Sequence, residues 1–310
     1  MTGFSPAAVA LAPTAADDPR VGHLLGRGLA PGDTPLVVLA GFPVDEGVRR
    51  NGGRPGAAEG PSAIRRQLYR LTPDALSVER FTALLGATVD AGDLVPTGDL
   101  ERDQARLGEA VGEWLAGGSF VILLGGGHET AFGHFLGYVR AARDVAILNW
   151  DAHADVRELR EGRGHSGSPF RQAIEHPSRR CASYSAAGLQ THSVAAAHLE
   201  LVARHGSWMP AAELTSEGVA EPFARLTSPA YVSFDLDAVD QSFAPGVSAP
   251  TARGLDPRLW LRAAFLAGRT SAVTSADVVE LCPRLDRDDQ TARLAALTVW
   301  EILRGLAART

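Results

Sequence analysis

Short apolar, β-branched runs recur along this chain, and three of them stop on clusters of His or Asp. FVILL leads into Gly125-Gly126-Gly127-His128, VAILNW into Asp151-Ala152-His153-Ala154-Asp155, and YVSFDLDAVD carries Asp235 and Asp237. PLVVLAGF covers 35–42, and SAVTSADVVEL ends at Glu280 and Leu281. Runs of this length and composition read as buried strands of a parallel sheet. Helical patterns lie between and around them. SAIRRQLYRL spaces Ile64, Leu68 and Leu71 on one face after Pro61. RDQARLGEAVGEWLAGG is amphipathic and closes on a glycine pair, and RLAALTVWEILRGLA forms the last helix. Strands alternating with helices give βαβ units, so the expected class is α/β with a mostly parallel sheet.

No repeat or Ser/Pro-rich linker divides the 310 residues. One domain over 34–310 is expected, after a poorly ordered N-terminal arm over 1–33. Residues 86–95 suggest a further strand and turn. The stretch 157–190 is poor in apolar residues and rich in Gly, Ser and Arg, and is expected to be a long loop lining the site.

All 30 basic residues are Arg. Without lysine there is no Schiff-base chemistry and no Walker-type phosphate lysine, which excludes PLP enzymes and P-loop ATPases. A net charge of −6 with scattered basic residues gives no footprint for nucleic acid. Cys181 and Cys282 form no CxxC pair and are expected to be reduced structural thiols. The Ala-rich N-terminus has no basic residue before Arg20, which argues against a signal peptide. No apolar run reaches the roughly 18 residues of a membrane span. The expected location is the cytoplasm.

Ligands in open α/β sheets bind outside the carboxyl ends of the strands. Residues two apart in an extended segment project to the same side, so Asp151, His153 and Asp155 converge, as do Asp235 and Asp237. With His128 they bring four carboxylates and two imidazoles to one place. Four negative charges balance two divalent cations, and a carboxylate-dominated set suits Mn²⁺. Paired metals lower the pKa of a shared water, so hydrolysis is the expected chemistry. Each cluster alone is a weak signal. A lone histidine after glycines is usually a loop residue, whereas three polar groups after a buried strand need a reason. His23, His134, His165, His176, His192, His198 and His205 lack such context. A solvated or capping role is expected of them, with His165 held open.

At these residues the chain resembles the ureohydrolase family, the arginase and agmatinase group. The resemblance runs from about Gly41 to Glu280 and rests on RPGAAEGPSAIR (54–65), GGGHE (125–129), NWDAHADVR (149–157), and SFDLDAVD (233–240) followed by APGVSAP (244–250). It implies a three-layer α/β/α fold, often assembled into homo-oligomers, with two Mn²⁺ per subunit. The matching metal ligands are His128, Asp151, His153, Asp155, Asp235 and Asp237. Glu280 of DVVELCP matches the glutamate that holds the amidine or guanidine nitrogen of the substrate.

DEGVRRNGGRPGAAEGP (45–61), Glu129 and SGSPFRQ (166–172) are most similar to the branch that hydrolyses N-formimidoyl-L-glutamate to L-glutamate and formamide in histidine breakdown. Such a substrate is a small amidine with two carboxylates, which need cationic partners. Arg50, Asn51, Arg54, Arg157 and Arg171 are the substrate-binding candidates, Arg157 foremost, because Arg pairs bidentately with carboxylates. Agmatinase-like members carry a proton-shuttling histidine where this chain has Ser166. His165, one residue earlier, and Asp155 are the candidate proton carriers. The alternatives are another amidinohydrolase releasing urea from a guanidine, a mononuclear zinc deacetylase using only Asp151, His153 and a later Asp, and a non-catalytic metal-binding protein.

Overall fold

In the computed structural model, which describes residues 3–11, 13–15, 17–30, 32–227 and 229–309, the apolar runs lie side by side in one sheet. Its strands are β1 (Phe4–Ser5), β2 (Gly26–Arg27), β3 (Val37–Phe42), β4 (Thr88–Leu94), β5 (Phe120–Gly125), β6 (Val145–Trp150), β7 (Cys181–Leu189), β8 (Trp208–Pro210), β9 (Ala230–Asp235) and β10 (Val273–Val279). The spatial order is β1-β4-β3-β5-β10-β9-β6-β7-β8, with β2 also on β4. Every pairing is parallel except β1 on β4.

The strands are buried on both faces, and their side chains alternate between two cores. Val37, Leu39, Ile122 and Leu124 join Ile64, Leu68, Trp260, Val299 and Ile302 on one face. Val38, Ala40, Val121 and Leu123 join Leu107, Val111, Phe135 and Tyr138 on the other. The first face is covered by helices Gly60–Leu68, Pro257–Arg269 and Gln290–Ala307, the second by helices Leu100–Ala116 and Thr130–Arg140. This is the three-layer α/β/α arrangement the resemblance implies.

β9 and β10 come late in the chain but insert between β5 and β6. The carboxyl ends of β5, β10, β9 and β6 therefore stand in a row, and the chain leaves them through His128, Glu280, Asp235 and Asp151. A crossover of this kind opens a crevice at the strand ends.

Two expectations change. The stretch before residue 34 is not a loose arm where it is described. Phe4 and Ser5 pair with Leu94 and Asp93, and Gly26 and Arg27 pair with Val89 and Asp90. Val21 is fully buried and Arg27 stacks on the Tyr69 ring at 4.6 Å. Two-residue strands carry no alternation to read, so only the packing reveals them. The stretch 157–190 is not one loop either. It holds helix Pro169–Ile174 and the whole of β7, whose CASYSAAGL sequence is too rich in small residues to read as a strand.

Candidate metal centre

The loop after β5 is held by close backbone packing. Gly126 N–H donates to Phe42 O at 2.9 Å, Gly127 N–H to Val44 O at 3.0 Å, and Glu280 N–H to Gly126 O at 2.8 Å. A Cβ on Gly126 would lie 2.0 Å from Val44 O, so only glycine passes here. His128, two residues on, is thereby fixed over the strand ends.

Its Nδ1 lies 3.3 Å from Asp151 Oδ2, 3.0 Å from Asp155 Oδ2 and 2.9 Å from Asp235 Oδ2. A second group adjoins the first. His153 Nδ1 lies 3.4 Å from Asp151 Oδ1 and 3.1 Å from Asp237 Oδ2. The ligand atoms within each group all lie within 4.8 Å of one another, and Asp151 offers one oxygen to each. Local bonds set the carboxylates: Asp151 Oδ1 accepts from His153 N–H at 2.7 Å, and Asp235 Oδ1 accepts from Asp237 N–H at 2.9 Å. The six residues expected as ligands are thus brought together in two groups.

The electrostatics show an anionic site short of positive charge. Burial and the neighbouring Asp237 and Asp151 charges push Asp235 well above the usual carboxylate range. Burial, with the same crowding, pushes Asp237 up to about 6. Burial would also raise Asp151, but the adjoining His128 and His153 outweigh it and hold Asp151 low. Asp237 raises His153 to about 12. His128 Nδ1 and Asp237 Oδ1 are buried without a hydrogen-bond partner. Orphaned polar atoms facing a carboxylate cluster are what a divalent cation satisfies, so the donor set fits two such ions.

Two strained backbone positions also lie here. Asp155 and Glu280 have φ of 45° and 69°, a left-handed conformation that side-chain-bearing residues seldom adopt. In this conformation Glu280 leaves β10 beside the ligands, and its Oε1 accepts from His128 N–H at 2.8 Å. Burial and the nearby Glu129 charge push it up to about 8. Glu129 is itself buried, and its Oε1 accepts from Gly47 N–H at 2.7 Å. That bond ties down helix Glu46–Asn51, whose last residue reaches the cleft.

The cleft above the ligands has a volume of about 400 Å³. Asn51, Arg54, Arg157, Ser166, Ser248 and Glu280 line it beside His153, Asp155, Asp235 and Asp237. Asn51 Oδ1 accepts from Arg157 Nη1 at 3.2 Å, and Asn51 Nδ2 donates to Ser166 Oγ at 3.1 Å. Arg54 is braced by Ser248 O at 2.9 Å and Val247 O at 2.8 Å.

Three candidates fall elsewhere. Arg50 is spent on Glu46, Glu101 and Gly164 O and does not line the cleft. Arg171 pairs with Glu175 at 2.8 Å, outside it. His165 is buried in its own loop, with Nε2 on Glu158 O at 2.9 Å and Nδ1 accepting from Gly167 N–H at 3.1 Å. The one-residue offset from Ser166 turns its ring away from the cleft. Ser248 was missed in the sequence, although its APGVSAP segment was visible.

A mostly parallel sheet with a His and Asp cluster at the carboxyl ends of β5, β9 and β6 defines a class. The arginase family model matches residues 36–305, and the chain belongs to the arginase family. A formimidoylglutamase from Salmonella paratyphi A is 37% identical over 277 residues, covering 86% of this chain and 84% of that protein. One from Clostridium tetani is 35% identical over 283 residues, covering 86% and 82%. The crystal structure of Trypanosoma cruzi formiminoglutamase with two Mn²⁺ superposes with a TM-score of 0.86 at 32% identity, over 95% of this chain and 100% of that one.

Proposed function

We propose that this chain hydrolyses N-formimidoyl-L-glutamate to L-glutamate and formamide with two Mn²⁺ ions. The observation that carries the reading is the pair of ligand groups sharing Asp151 beneath a cleft that also presents two arginines. The named relatives and the Mn²⁺-bound structural neighbour support it.

His128, Asp151, Asp155 and Asp235 would hold one ion, and Asp151, His153 and Asp237 the other. When bound, the ions supply Lewis acidity and lower the pKa of a shared water. Glu280 lies on the cleft wall beside them and accepts an N–H of the cationic amidine, whose positive charge favours the carboxylate form that burial opposes. Water adds to the formimidoyl carbon, and the C–N bond to the glutamate nitrogen breaks. Asp155 stands at the edge of the ligand cluster and carries a proton to that leaving nitrogen. Arg157 and Arg54 receive the substrate carboxylates. Arg54 has both Nε and Nη2 engaged by backbone carbonyls, so its remaining edge is preset. Asn51 sets the Arg157 fork. The enzyme acts as a single catalytic domain in the cytoplasm and as a homo-oligomer. No described helix is long and apolar enough to cross a membrane.

The test is steady-state assay of Mn²⁺-loaded protein on N-formimidoyl-L-glutamate, agmatine, 4-guanidinobutyrate and arginine. Formamide from the first and no urea from the others is expected. Urea from a guanidine substrate would overturn the substrate assignment while leaving the metal groups standing. H128A addresses the mononuclear alternative: retained activity would favour it, and loss is expected.

A further inference from the structure

Beneath the cleft, between the sheet and helix Thr130–Arg140, runs a line of polar side chains that the proposed reaction does not use. Ser233, Asp277, His134, Ser275 and Tyr138 all have zero exposure. Their spacing places them together: Ser275 and Asp277 are two apart on β10, and His134 and Tyr138 are four apart on the helix. An aspartate inside an apolar layer is costly unless its oxygens are fully occupied by donors.

They are occupied from both sides. His128 Nε2 lies 2.9 Å from Ser233 Oγ, and Ser233 Oγ donates to Asp277 Oδ1. On the other side, His134 Nδ1 lies 2.7 Å from Asp277 Oδ2, and His134 Nε2 lies 2.6 Å from Ser275 Oγ. Tyr138 OH lies 2.6 Å from Ser275 Oγ and 2.7 Å from Thr274 Oγ1. The His134 ring is stacked on Tyr231, with centroids 4.2 Å apart.

One proton assignment satisfies every member of the line. Tyr138 donates to Ser275, Ser275 to His134 Nε2, and His134 Nδ1–H to Asp277. Ser233 donates to the other Asp277 oxygen and accepts from His128 Nε2–H. His128 is then left with a bare lone pair on Nδ1, the atom that faces Asp151, Asp155 and Asp235. Reversing the Ser233 hydroxyl would put the histidine proton on Nδ1 and block that lone pair. The orientation of the imidazole, and which nitrogen can bind a cation, is therefore set from Asp277.

We propose that His134 is a positioning residue for the His128 metal group, acting through Asp277 and Ser233 across the buried layer. His134 holds Asp277 as an acceptor on its far side, so that its near oxygen takes the Ser233 hydroxyl and His128 presents Nδ1. The role concerns one of the two metal groups. The group formed by Asp151, His153 and Asp237 shares only Asp151 with it.

This inference rests on the two-ion reading, and wild-type protein tests that reading separately by binding two Mn²⁺ in equilibrium dialysis. In H134L the first-group affinity should fall roughly tenfold to a hundredfold, the range for partners that orient a metal-binding histidine. At limiting Mn²⁺ the variant should hold one ion, with the spin-coupled two-ion EPR signal lost. H134N keeps an N–H close to the Nδ1 position and should restore two-ion binding. A merely structural role would lower Tm in both variants and leave stoichiometry alone. S233A breaks the same line by one hydroxyl and should reproduce the selective loss if H134L fails to fold. Two Mn²⁺ bound with wild-type affinity by H134L, or by S233A if H134L does not fold, would overturn the proposal.

Discussion

Replacing Arg157 by Ala tests the proposal that its guanidinium receives a substrate carboxylate. Arg157 lines the cleft with Nη1 on Asn51 Oδ1 at 3.2 Å, and its side chain is solvent-exposed. A unit-charge pair at about 4 Å contributes about 1 kcal/mol in water and about 4 kcal/mol at the effective dielectric of a protein surface. Exposure argues for the lower half of that interval, about 1–2.5 kcal/mol. That corresponds to roughly a 5- to 70-fold loss in kcat/KM on N-formimidoyl-L-glutamate. The carboxylates lie away from the carbon that reacts, so the contact is the same in the ground and transition states. KM should rise and kcat should change little. The defect should shrink at high salt, where the wild-type contact is screened. R157K keeps the charge but loses the fork that Asn51 sets, and should fall between. R171A is the control, because Arg171 pairs with Glu175 outside the cleft. Formamide release across substrate concentrations reads all of these. A fall in kcat at unchanged KM would place Arg157 in the chemistry and refute the reasoning, as would wild-type kinetics in R157A.

Further outcomes follow from the geometry. G126A drives a methyl against Val44 O and should destabilise the fold by about 2 kcal/mol or more while shifting His128; a Tm scan and Mn²⁺ stoichiometry should fall together. E280G removes a left-handed non-glycine residue that costs about 1–2 kcal/mol, so Tm should hold or rise while formamide release is abolished. Burial pushes the Cys181 thiol up to about 12 and raises Cys282 as well. Only the thiolate is alkylated, so native labelling by iodoacetamide should be slow at pH 8 and climb about tenfold per pH unit towards pH 11. Rapid labelling at pH 7.5 would contradict this.

The layers and the ligand clusters were legible in the sequence for the same reason. VAILNW and FVILL are uninterrupted because both faces of the sheet are covered, and polar residues at their ends stand out against that background. β7 was illegible because Ala, Ser and Gly carry little β signal, and its burial comes from its neighbours. His134 was expected to be solvated or capping, and is instead fully buried. Its partners Asp277 and Ser275 are 143 and 141 residues away, a distance no local pattern spans. Arg157 stands out in the sequence by following a metal-ligand cluster, but Arg50, Arg54 and Arg171 have equal standing there. Only three-dimensional pairing separates those engaged with Glu46, Glu101 or Glu175 from those facing the cleft.

The two ends of the sheet bear on solubility. An open strand edge is a template for stacking against another molecule. Here β4 is shielded on its outer side by β1 and β2, both from the first 33 residues. At the far end β8 is three residues long and finishes in Pro210, which has no N–H to offer a newcomer. Trimming the N-terminal stretch as if it were dispensable would expose Thr88–Leu94 along its length. The shortened protein would keep its ligands and cleft and yet precipitate, because the removed segment guards the sheet against aggregation.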